Sequence, residues 1–175
     1  LSGANLKDAN LKDSKLYGAD LTGTSLENVD LSGAELKGAN FSGAYMTKVI
    51  LENVDLSGVN FNGIHMVGQR LVDVDLSGVN FENANLSNIN LDSAYLNSAN
   101  LKNVNLSNAS IRNTDLGAAN LENANLENAK IQNSYFKNAK LDGVKMNETD
   151  SDSCFKQDLL NKIICKINFE LNPDS

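Results

Sequence analysis

The stretch NVDLSGVNFNGIHMVGQRLVDVDLSGVNF, residues 53–81, holds the seven letters DLSGVNF twice, at 55–61 and at 75–81. Between the copies the pattern roughens and takes in the chain's only histidine, His65, with Gln69 and Arg70 close behind. Within each copy the large apolar residues are five apart, as Leu56 and Phe61 are. Extended in both directions, that spacing runs from Leu1 to Met146, and all 30 positions are Leu, Phe, Met or Ile. Two residues before each, from Ala4 onward, stands a small or β-branched residue, with Gln69 the one clear exception. A period of five matches neither the 3.6 of a helix nor the 2 of a flat strand, so it marks a repeat architecture.

Turn chemistry explains the unit. The position two after each large apolar residue holds 11 Gly, 11 Asn and 3 Asp. These residues tolerate positive φ, which a type II turn requires at its third residue. Each unit is therefore a short extended side and a tight corner. The large residue and the small one two before it point the same way, inward, because side chains alternate along extended backbone. Phe41, Phe61 and Phe81 recur at 20 residues, as do Met46 and Met66, so four sides make one coil. Coils stacked at about 4.8 Å, roughly seven and a half of them, predict a rod of about 36 Å. Backbone pairing between successive coils is expected throughout, with unpaired edges only at the two ends.

Units such as ANLKD, ADLTG, ANFSG, VDLSG and ANLEN resemble the A(D/N)Lxx pattern of the pentapeptide repeat family over residues 1 to about 150. The resemblance implies an all-β fold, a right-handed quadrilateral β-helix. It leaves function open, since the repeat defines a shape. Some members of the family protect DNA gyrase from quinolones with a DNA-like acidic rod, and others are secreted bacterial effectors. Both roles are alternatives for this chain. Against the first, the repeat has no loop insertions and its acids are diluted by neutral Asn.

Composition narrows the classes. A net charge of −7 argues against direct nucleic-acid binding, which rests on clustered Lys and Arg. No apolar run approaches the ~20 residues of a membrane helix, so membrane insertion is not expected. The chain opens at Leu1, already inside a repeat, as a fragment or processed product would. A cytoplasmic location is favoured, with secretion as the alternative because the native N-terminus is not seen.

The repeat stops at Ser151, and residues 151–175 form a second segment. There Phe155, Leu159, Leu160, Ile163, Ile164 and Ile167 make one apolar stripe at helical spacing, ended by Pro173. The expectation is a short C-terminal helix that caps the last coil. Dimerisation through the same helix is the alternative, and one helix could serve both. Cys154 and Cys165, about 16 Å apart along such a helix, cannot bridge each other.

No catalytic constellation emerges. A filled coil offers no obvious cavity for converging groups, His65 stands alone, and no acidic cluster has metal-ligand spacing. Neither a cofactor nor a metal is expected. Surface columns say more. Glu35, Asp55 and Asp75, with Asp115 further along, form an acidic ridge, interrupted by Tyr95 and Tyr135. Near one corner, Ile50 and Arg70 share an outward column, Val67 and Val72 replace polar residues, and Tyr45 lies beneath His65. Apolar residues grouped with Arg and aromatics compose an interaction surface. A local bulge at Gln69 is expected beside it. The sequence thus points to a non-enzymatic scaffold for a protein partner.

Overall fold

A computed structural model describes residues 1–147. The expected helix of Phe155, Leu159, Leu160, Ile163, Ile164 and Ile167, and both cysteines, lie outside the described residues. Within them every bridge between strands is parallel and joins residues 20 apart, from Asn5 with Ser25 to Asn125 with Lys145. Four five-residue units therefore complete each lap. Extended sides are so short that only two lengthen into strands, β1 (Ser110–Arg112) and β2 (Lys130–Gln132), paired in parallel with Ile111 opposite Ile131.

The hydrogen-bond rule repeats with the sequence. Away from the breaks described below, large apolar residues and corner residues donate their N–H to the carbonyl 19 positions ahead, as Leu6 does to Ser25 and Asp8 to Glu27. The residue before the large one donates 21 positions back, as Ser25 does to Ala4. A third bond closes most corners, from the small residue's N–H to the carbonyl three before it, as in Ala4 to Leu1. From Gly3 to Gly143 every residue two after a large apolar one has positive φ, glycine or not. That is the expected turn, and it holds even at Lys48 (φ 57°) and Ala118 (φ 56°), where a Cβ makes the conformation costly.

Large and small inward residues fill the coil. From Leu21 to Leu126 the large ones are buried, Leu51 alone excepted. Phe41, Phe61 and Phe81 stack down the axis with ring centroids 5.6 and 5.2 Å apart, a favourable separation for aromatic pairs. Where the inward slot holds threonine, the hydroxyl finds a carbonyl: Thr24 donates to Leu21 and Thr114 to Leu91.

Outside, the slot before each large residue does more than meet water. Its Asp or Asn Oδ1 accepts the N–H two residues on, as Asn10 does from Lys12 at 3.0 Å. In one column the amides also link coil to coil. Asn60 donates to Asn40, Asn80 to Asn60 and Asn100 to Asn80, at 3.0, 3.0 and 3.1 Å. Half-buried, this amide ladder runs beside the backbone ladder and ties the same coils.

Pairing between coils was expected to be unbroken, and it fails at two successive junctions. The bridges Ile50 to Arg70, Glu35 to Asp55 and Asp55 to Asp75 are missing from otherwise regular columns.

Candidate functional site

The wider break is a seam between residues 48–58 and residues 67–77, the next coil; one junction earlier a narrower break omits only the bonds of Leu36 N–H to the Asp55 carbonyl and of Asp55 N–H to the Ala34 carbonyl. On the first lip the N–H groups of Lys48, Leu51, Asn53, Leu56 and Gly58 have no carbonyl 19 positions ahead. On the second, Arg70 and Asp75 lack the carbonyl 21 positions back. Leu51, Val54 and Val74, in inward slots, are only half-buried. The gap is a cleft of about 530 Å³ lined by Val49, Leu51, Gln69, Arg70, Val72 and Val74 among others. A filled coil was expected to leave no cavity; this one corrects that expectation.

Two features of the sequence open it. Gln69 occupies an inward slot that elsewhere holds a small or β-branched residue, and its side chain is 8% exposed. Its amide lies between the coils: Val49 N–H donates to Gln69 Oε1 at 3.2 Å, and Gln69 Nε2 donates to the Val49 carbonyl at 2.5 Å. Val49 N–H thereby leaves its corner bond, and its carbonyl leaves the ladder. A buried amide must be satisfied, and here the backbone of the neighbouring coil satisfies it. No bulge accompanies Gln69, because Arg70 still pairs with Asn90 at the regular spacing. On the adjoining side three acids, Glu35, Asp55 and Asp75, occupy one column, and like charges directly opposite disfavour pairing.

The Ser57 amide, donating at 2.8 Å, and then its hydroxyl hold the Asp55 carboxyl below its ordinary value. Ser77 lowers Asp75 too, its hydroxyl foremost and then its amide, against opposing pushes from burial and from Asp55. Asp115 belongs to the same column but pairs normally with Tyr95 and Tyr135. Around the seam the carboxylates are thus Glu52 and Asp55 on one lip and Asp73 and Asp75 on the other. The cations are Lys48 and Arg70. Ion pairs among the described residues join Lys7 to Glu27, Lys102 to Glu122 and Arg112 to Asp92, and Arg70 enters none of them.

Three of the patch residues sit at this opening. Ile50, Arg70 and Val72 line it. Ile50 is 45% exposed and Val67 36%. Tyr45 and His65 stack face to face, 4.5 Å between ring centroids and 5° between planes, where their two coils are still paired. Val49, Leu51, Glu52, Asn53, Leu71 and Val74 also line the cleft, and sequence reasoning did not single them out. Their only signal was the coincidence of an inward glutamine with three stacked acids. Among the described residues no group of three or more His, Cys, Asp or Glu is placed to hold a metal ion. No helix there is long and apolar enough to cross a membrane.

Four-sided coils of five-residue units, with positive φ at each corner, define a class of repeat protein by geometry alone. The chain belongs to the pentapeptide repeat family: the model of pentapeptide repeats (8 copies) matches residues 1–28, 24–63 and 109–148. The model of the pentapeptide repeat region matches residues 44–121. Among solved structures the chain is similar to HetL, a pentapeptide repeat protein involved in heterocyst differentiation regulation in Nostoc sp. strain PCC 7120. It is 23% identical, over 83% of this chain and 90% of that one, with a TM-score of 0.37. Full-length QnrB1, a plasmid-mediated fluoroquinolone resistance protein, is 18% identical over 87% and 93%, with a TM-score of 0.49. A pentapeptide repeat protein of the Arabidopsis thaliana thylakoid lumen is 26% identical over 64% and 68%, with a TM-score of 0.25. No curated protein sequence matches the chain.

Proposed function

We propose that the chain is a non-enzymatic scaffold whose protein partner docks where the ladder opens. One observation carries this reading: Ile50, Arg70 and Val72 line the cleft where the ladder opens widest, and Tyr45, His65 and Val67 complete the patch on the same two coils. Exposed aliphatic groups beside an unpaired guanidinium and a stacked aromatic pair have the composition of a binding hot spot. The polar lining of the cleft is Glu52, Asn53, Gln69 and Arg70. It holds no nucleophile beside a base, which supports binding rather than catalysis.

The test is a purified partner, isolated from the native host and titrated against the chain. Replacing Ile50, Val67 and Arg70 by Asn, Ser and Asn should weaken affinity by about tenfold or more, with melting unchanged. Equal affinity would overturn the proposal. A second reading draws on the acidic column of Glu35, Asp55 and Asp75: an acidic face for a DNA-handling enzyme such as gyrase. Supercoiling assays at micromolar protein test it, and neither inhibition nor quinolone protection there removes it.

A further inference from the structure

Resting on the scaffold reading, we infer the mode of docking: the seam takes an extended, apolar and basic segment of the partner, laid along its lips as an added strand. The observation is backbone chemistry. Leu51, Asn53 and Leu56 on one lip, and Arg70 and Asp75 on the other, present N–H groups without a protein acceptor. The Val54 carbonyl, which by the repeat rule would accept Asp75 N–H, is left without that donor. Donors and acceptors spaced along extended backbone are matched by another extended backbone, as at any open sheet edge. A compact small molecule would satisfy few of them.

Side chains specify the occupant further. Leu51, Leu71, Val49, Val72 and Val74 line the gap, and alternate residues of an inserted strand would place apolar groups against them. The volume, about 530 Å³, lies within the range of ligand clefts. Charge sets the direction. Glu52, Asp55, Asp73 and Asp75 gather at the corner end, whereas Arg70 marks the other. A Lys or Arg of the segment is attracted to the corner and repelled from the Arg70 end. Gln69 keeps the lips apart without a ligand, so the edge is presented ready to pair, which lowers the cost of binding.

A display library of random twelve-residue peptides, panned on the full chain, supplies the probe. Enriched peptides should alternate apolar residues and carry Lys or Arg toward one end. Their binding should fall about tenfold in Gln69→Ala, where the lips can close. It should also fall several-fold in Glu52→Lys, a substitution at an outward corner slot that Lys fills in other units. Hydrogen exchange at the amides of Leu51, Asn53, Arg70 and Asp75 should slow when peptide binds. Absence of enriched peptides, equal binding by Gln69→Ala, or unchanged exchange at those amides each overturns the inserted-strand mode. If the triple variant at Ile50, Val67 and Arg70 loses the native partner while no peptide enters the seam, the scaffold reading stands and this mode alone falls. A peptide that enters the seam, with partner affinity unchanged in the triple variant, gives the reverse.

Discussion

At the scale of single residues, the outward Asp or Asn works as a clasp on its own corner. Asp20 shows it most fully: Thr22 donates both its hydroxyl, at 2.6 Å, and its N–H, at 3.0 Å, to Oδ1. These bonds, the hydroxyl foremost, hold the Asp20 carboxyl below its ordinary value, and Ser32 does the same for Asp30. A carboxyl lowered on folding contributes stability that is fully present above its unfolded pKa, about 3.9, and is lost as pH falls through the folded value. Melting temperature should therefore be level above about pH 5 and decline below about pH 4. In Asp20→Asn/Asp30→Asn the decline should be shallower, because Asn10 and Asn40 make the same bond to the N–H two residues on without titrating. An unchanged acid limb, followed by circular dichroism, would remove these two groups from the account. The clasp was half legible: the A(D/N)Lxx pattern carries the preference for Asp and Asn, but not the bond to the N–H two residues on that explains it. The amide ladder of Asn40, Asn60, Asn80 and Asn100 could be recognised only once the register of 20 was known.

At the scale of the element, one coil against the next, the seam sets side-chain bonds against backbone bonds. Gln69 makes two hydrogen bonds to Val49 while the seam forgoes seven ladder bonds, five from one lip and two from the other. Each intramolecular bond contributes about 1 kcal/mol net, less where water replaces it easily. Gln69→Ala restores the small residue normal to that slot. It should stabilise the chain by about 1–2 kcal/mol, allowing for the acids that still repel. Urea denaturation measures the gain, and a loss of stability would mean that the glutamine bonds outweigh the ladder. Gln69 was conspicuous in the sequence as an intruder. Its effect was not, because the length of the side chain decides whether it folds into a bulge or reaches across to the coil beneath.

For the whole molecule, a five-residue spacing held from Leu1 to Met146 left little about the interior to discover. Leu, Phe and Met at one slot and Ala or Val at another specify what is inward, and Gly, Asn and Asp specify where the chain turns. A surface site has no such redundancy. Ile50, Val67 and Arg70 obey the period as well as any neighbours do, and only their chemistry sets them apart. The seam they border depends on bonds between residues 20 apart that fail to form, which no local pattern announces.

A stack of coils is also a mechanical object. Each coil holds only its neighbours, so load passes from one junction to the next and the weakest junction governs the whole. Pulled along its axis, this chain should part first between residues 48–58 and 67–77, dividing into two blocks before either unravels. Optical-trap traces should show an early, low-force rupture that is absent from Gln69→Ala. A single rupture common to both proteins would mean that the junction carries its load despite the missing bonds.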